Sequence, residues 1–232
     1  MPVVLTAKDV WKENGQKHLT QSRYESVQSR LDALKLDDFS RVVFHKWIAM
    51  TVAGGGWFSD YDSFPLPSLY RENGGDIIRG DELPNNGHIT VYDMISPTLA
   101  SGSANSWIDV LEALLDDAEE HCRQTEGSKT YHRYDLDCFY TDSLAIHSLR
   151  KKQHKLAPHT ERKIATPFDK HDPVSNDDTG LCSSEKFVKK WTVHFGPGIL
   201  QRSGHIPPRA RRPKYRLNVA EDWMGRFERL CS

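Results

Sequence analysis

The chain has 232 residues with 31 Lys and Arg against 32 Asp and Glu, and a formal charge of -1 excludes a global field that would gather nucleic acid or a membrane surface. That length suits one medium domain with a sizeable core. Hydrophobic content of 38% predicts long polar loops on an ordinary core, while 10% aromatic residues, with 6 Trp, exclude wholesale disorder.

Cys122, Cys138, Cys182 and Cys231 form no C-x-x-C pair, which excludes a zinc knuckle or a redox dithiol. Two disulfides in a secretory compartment and none in the cytosol both remain open. "MPVVLTAKDVWKENGQ" carries Lys8 and Asp9 early and reads as neither a signal peptide nor a membrane anchor, so the chain as given is expected to be soluble, without a membrane segment. Apolar residues recur at helical spacing from Val27 and Leu31 to Trp47 and Ile48, predicting one or two helices between Tyr24 and Val52. The break falls near "LDDFS", where Asp38 or Ser40 caps the second, and the stop comes at Gly54 to Gly56. "GWFSDYD" is then short and extended, and the Pro-, Gly- and Asn-rich stretch after it is mostly turns.

A strand is expected at Ile89 to Ile95, running on toward Leu99. The clearest helix follows, with Ile108, Leu111, Leu114, Leu115 and Ala118 as its apolar stripe, Asp116, Asp117, Glu119 and Glu120 as its wet face, and Ser103, Asn105 or Ser106 as its cap. "YTDSLAIHSLRKK" predicts a short helix entered at Thr141 or Asp142. Residues 150–186 read as a long polar loop with at most a weak hairpin. Trp191 to Phe195 alternates as a strand, "QRSGHIPPRARRPKYR" is a basic loop, and Val219, Trp223, Phe227 and Leu230 give a closing amphipathic helix.

Asp60 and Asp62 stand two apart behind a glycine run. On a strand such residues share a face, so the carboxylates repel unless a cation lies between them. A hard divalent ion suits them, because carboxylates are its natural ligands and it keeps open positions for phosphate oxygens. The plainer reading makes both aspartates turn residues before Pro65. A phosphatase of the haloacid-dehalogenase kind is excluded, since that motif needs an apolar strand into the first aspartate and Thr or Val where this chain has Phe64.

A helix ending in Gly55 and Gly56, then Phe58, Asp60 and Asp62, resembles the D-x-D glycosyltransferases of the GT-A fold, in particular the mannosyl-, galactosyl- and toxin-like glucosyltransferases. "FPLPSL", "TDSLAIH" and "WTVHF" extend the resemblance over roughly residues 40 to 200, although only "GGWFSDYD" is specific. The resemblance implies an α/β fold, abbreviated at the amino end because only "PVVLT" precedes the first helix as a residual strand. It further implies Mn2+ or Mg2+ held by Asp60, Asp62 and His194. The expected activity is transfer of a hexose from a nucleotide-diphosphate donor to a hydroxyl acceptor (glycan, lipid or protein) with retention of configuration. Where the family carries an acidic residue and an arginine before the glycines, this chain has "VVFHKW", with His45 and Lys46 as stand-ins.

The remaining candidates each have a plain reading. Gly55, Gly56, Trp57, Asp60, Ser101 and Gly102 are expected to meet the donor, the last two because "ASGSANS" enters a helix amino terminus, where backbone N–H groups attract anions. Asp142 is the candidate contact to sugar or acceptor, against a role as helix cap. The arginines of the basic loop, Arg216 among them, read as a solvated loop, a clamp on the diphosphate or, last, a nucleic-acid contact. The rival to an enzyme is a non-catalytic nucleotide-sugar or metal-binding domain. The compartment is left open, with the Golgi implied if an anchor lies upstream.

Overall fold

The computed structural model describes residues 18–66, 83–94, 96–125, 138–168, 181–182, 185–207 and 213–231. In chain order the elements are α1 (Gln21–Ala33), α2 (Asp38–Val52), β1 (Gly55–Ser59), β2 (Ser63–Pro65), a 3₁₀ turn (Pro84–Gly87), β3 (Thr90–Val91), β4 (Leu99–Ser103), α3 (Ala104–Thr125), α4 (Asp142–Lys151), β5 (His159–Thr160), β6 (Ile164–Ala165), α5 (Glu185–Val188), β7 (Thr192–His194), α6 (Pro197–Arg202) and α7 (Pro213–Cys231). The fold class is mixed α/β. The chain divides into two compact units: 1–58 with 81–160, and 59–80 with 161–232.

In the first unit the helix starts follow from side-chain caps. Thr20 accepts from the Arg23 N–H to open α1, Thr141 accepts from Leu144 to open α4, and Ser103 Oγ accepts from the Ser106 N–H at 3.3 Å. The cap of α2 is Asp37, which accepts from the N–H groups of Phe39 and Ser40 at 2.9 and 3.0 Å, in place of the expected Asp38 or Ser40. The sheet runs β1-β4-β3-β5, with β3 antiparallel to β4 and parallel to β5. The strand expected from Ile89 to Ile95 is thus cut short at Val91, and Leu99 opens a separate strand. Trp47, Phe44, Trp107, Ile108, Leu111, Leu114 and Leu115 are buried together, with the Trp47 and Trp107 rings edge to face at 4.8 Å.

The acidic face of α3 is not simply wet. Arg23 of α1 bonds Glu112 at 2.7 Å and Asp109 at 2.9 Å, and Arg30 bonds Glu119 at 2.6 Å and Asp116 at 2.5 Å. Asp117 is buried, accepting from the Tyr140 hydroxyl, from Ser148 at 2.8 Å and from the Lys152 ammonium at 2.7 Å. A disulfide joins Cys122 to Cys138.

The second unit has its own sheet, β2-β7-β6, with β2 antiparallel and β6 parallel to β7. Residues 63–65, expected as turn, therefore form a strand. Phe195 and Phe187 pack on Trp223 of α7, which stacks on Phe227 at 5.2 Å, and Leu66, Val193 and Leu200 complete the core. The basic stretch is not all loop: Arg202 ends α6, and Pro213 opens α7 at a position where its missing N–H costs nothing. A second disulfide joins Cys182 to Cys231. Of the polar loop expected at 150–186, residues 150–168 finish α4 and supply β5 and β6. These two pair with different strands rather than with each other, and 169–180 lie outside the described residues. "PVVLT" and the second half of "FPLPSL" also lie outside them.

Candidate functional site

The D-x-D aspartates lie in a turn of the second unit, not on a strand. The Ser63 N–H donates to the Asp60 carbonyl at 3.1 Å, so Asp60 to Ser63 reverse the chain ahead of β2. Asp60 is half-buried and Asp62 is 4% exposed. The antiparallel pairing of β2 with β7 sets Ser63 opposite His194, and the Phe195 N–H donates to the Asp62 carbonyl at 2.8 Å. This register carries the His194 imidazole to the aspartate, with Nε2 3.4 Å from Asp62 Oδ1. Gly196 makes room for the ring, since a Cβ there would stand 2.9 Å from His194 Cε1.

The second carboxylate oxygen is taken. Arg216, in the first turns of α7, donates through Nη1 to Asp62 Oδ2, and its side chain is only 12% exposed. Its guanidinium lies over the Tyr61 ring, 4.8 Å from the centroid. Burial pulls the Arg216 guanidinium below its ordinary range, and the charge of Asp60 opposes that shift. Nε of Arg216 and Oγ of Ser63 are buried without a hydrogen-bond partner among protein atoms. The sequence carried a signal for Arg216 that a loop reading hides. Counted as helix, Arg216 falls on the same face as Ala220, Trp223 and Phe227, and a charge on a buried stripe requires a partner.

The other expected site residues belong to the first unit. Gly55 has φ +86°, and a Cβ there would stand 2.6 Å from both Ala104 N and Gly102 O, so its glycine is required by backbone packing. Gly56 has φ +112° with open space beside it. Trp57 stacks on Tyr92 at 5.2 Å. Ser101 and Gly102 are buried in β4 rather than free in a loop: Ser101 Oγ meets the Tyr92 hydroxyl at 2.8 Å, and the Gly102 carbonyl accepts from Trp107 Nε1.

Asp142 is 2% exposed at the start of α4, with Oδ2 2.7 Å from the Lys46 ammonium and 3.1 Å from Trp47 Nε1. Its carboxylate is spent inside the first unit. Lys46 also lies 5.0 Å from the Phe58 ring centroid. These contacts account for much of "HKW" and "TDS" by packing.

A divalent ion can be tested against this donor set. A carboxylate and an imidazole are ordinary ligands for Mn2+, and two donors at right angles and about 2.1 Å from one ion are roughly 3 Å apart. The 3.4 Å between Asp62 Oδ1 and His194 Nε2 is close to that spacing. The two residues match an ion's ligands in kind, but Asp62 already has a counter-cation in Arg216. Among the described residues no three His, Cys, Asp or Glu side chains already form a metal-ready group. No helix among them is long and apolar enough to cross a membrane. Compared with protein-family models, curated proteins and solved structures, the chain matches none.

Proposed function

We propose that the chain is a D-x-D glycosyltransferase of GT-A type that moves a hexose from a nucleotide-diphosphate donor to a hydroxyl acceptor, retaining configuration. The observation that carries this reading is the meeting of Asp62 with His194, 3.4 Å apart through the β2–β7 register, in the combination the D-x-D resemblance implies. Mn2+ or Mg2+ would be held by Asp62 and His194 with help from Asp60, and as a Lewis acid it would neutralise charge on the departing diphosphate. The chain's own part is to hold these donors: the Asp60–Ser63 turn positions Asp62, and β7 with Gly196 holds the imidazole. Both disulfides support folding in an oxidising compartment, in keeping with a Golgi or other secretory enzyme.

The second reading, a non-catalytic nucleotide-sugar or metal-binding domain, is favoured by the guanidinium already seated on Asp62. The oxidised full chain incubated with Mn2+ and a panel of UDP- and GDP-hexoses separates the two. Metal-dependent release of nucleotide, lost in Asp60→Asn, supports the enzyme. Metal-dependent binding without release supports the second reading. Neither binding nor release defeats both.

A further inference from the structure

In the first unit, which does not contain the D-x-D turn, a cleft of about 480 Å3 opens between the 3₁₀ turn, the start of α3 and the segment from Lys155 to His159 that leads into β5. That volume lies within the range of small-molecule sites, roughly 300–1,000 Å3. The inner part of its lining is apolar: Ile89, Val110 and Pro158 are buried and Leu156 is half-buried. The outer part is polar and basic. Asn86, His88, Lys155 and His159 are all exposed, and among the described residues none of their side chains has a hydrogen-bond or ion-pair partner. Asp109, the acid in the lining, is already neutralised by Arg23 at 2.9 Å.

The walls are fixed by the fold. Asn85, Asn86 and Gly87 take φ of +54°, +56° and +75°, a left-handed conformation that glycine and asparagine tolerate best. Asn85 Nδ2 donates to Thr90 Oγ1 at 2.8 Å, and a Cβ on Gly87 would stand 3.2 Å from Ser103 Cβ, so the turn is seated closely against the start of α3. On the other wall the His159 N–H donates to the Ile89 carbonyl at 2.8 Å, in the parallel register that sets His159 opposite Thr90. These bonds fix the backbone that carries both imidazoles. Consecutive strained residues held in place by their surroundings are characteristic of ligand sites.

We propose that this cleft binds a small organic acid, a carboxylate or phosphate carried on a body with an apolar face. Lys155 supplies a positive charge, each imidazole donates an N–H whether neutral or charged, and the Asn86 amide donates as well. With Asp109 tied to Arg23, no unpaired carboxylate in the lining repels the anion. The body covers Ile89, Val110 and Leu156, so a bare anion lacks half of the recognition. No divalent ion takes part, and the proposal stands independently of the function proposed above.

The experiment is an amide NMR titration of the oxidised full chain, without divalent ions, with phenyl phosphate, phenylacetate, inorganic phosphate and benzyl alcohol as probes. The two acids should shift the amide signals of residues 85–89 and 155–159. The tighter of them, which identifies the anionic group, should bind about tenfold more strongly than inorganic phosphate, which lacks the body, or benzyl alcohol, which lacks the charge. Lys155→Gln and His159→Gln, both at exposed positions, should each weaken that acid roughly three- to tenfold with the melting temperature unchanged. Benzyl alcohol binding as tightly as the acids would show that charge is not read, and inorganic phosphate binding as tightly would show that the apolar lining is not used; either result overturns the proposal. Shifts absent from both segments, or an affinity unchanged in both variants, overturn it as well.

Discussion

At the scale of single residues the Asp62–Arg216 pair decides what substitution does. In sequence the D-x-D carboxylates have no basic neighbour in their loop, which predicts that removing one charge leaves the metal-free protein as stable or more so. Arg216 reverses that expectation for Asp62, because Asp62→Asn strands a guanidinium whose side chain is 12% exposed. Breaking a buried pair from one side costs about 3–5 kcal/mol, so denaturant unfolding without metal should show a loss of that order for Asp62→Asn. Asp62→Asn with Arg216→Gln should recover part of the loss.

The Tyr140–Asp117 contact gives a pH profile. Burial, then the hydrogen bond to Asp117, raises the Tyr140 hydroxyl above its ordinary value of 10.0. Its contribution is full below about 10 and is lost as pH rises toward the folded value. Burial alone would raise Asp117, but the Lys152, Tyr140 and Ser148 hydrogen bonds outweigh it and hold the group below 3.8. That contribution is present above about 4 and fades as pH falls through the lowered folded value. Melting temperature against pH should therefore drop on both sides, and Tyr140→Phe should remove much of the alkaline drop.

At the scale of elements, the glycine run and the disulfides carry the clearest consequences. Gly55→Ala puts a Cβ 2.6 Å from the β4 backbone at φ +86°, so β1 or the start of α3 must move. Gly56→Ala meets open space and pays only the left-handed strain, roughly 1–2 kcal/mol. Urea unfolding of the two variants should rank them in that order, with Gly55→Ala much the worse. Equal losses would show that β1 does not lie against β4 as described.

Each disulfide belongs to one unit. On the chain-entropy model, losing Cys182–Cys231, which spans 49 residues, costs roughly 4 kcal/mol, and losing Cys122–Cys138, which spans 16, costs about 3. Cys231→Ser should therefore expose Trp223, seen as a red shift in its fluorescence at lower denaturant, while Cys138→Ser should act on the first unit.

At the scale of the whole molecule, all four cysteines are paired, so the oxidised protein should show no thiol reactive with Ellman's reagent after unfolding. Two such bonds in one chain are characteristic of an oxidising compartment. Protein exported to a bacterial periplasm should melt higher than the same protein after reduction. Identical melting temperatures would mean that the pairings do not support either core.

Periodicity alone determined the longer helices, though not α5 or α6. Leu111, Leu114, Leu115 and Ala118 at helical spacing, and Trp223 with Phe227, announced buried stripes because a helix buries what recurs every three or four residues. The cap at Thr141 was readable for the same local reason, whereas Asp60, Asp62 and His194 entered as an expectation from residue type and motif.

The sequence could not supply pairings between distant segments, because register is set by which strands meet rather than by either strand alone. Only the tertiary structure set Ser63 opposite His194, split β5 and β6 between two sheets, buried Asp142 against Lys46, and drew Arg216 out of a basic stretch onto Asp62. Charges on one face of a helix look solvated until the partner surface is known. Asp117, expected on the wet face of its helix, was misjudged for that reason: the cost of burying a charge is met by groups far away in the chain.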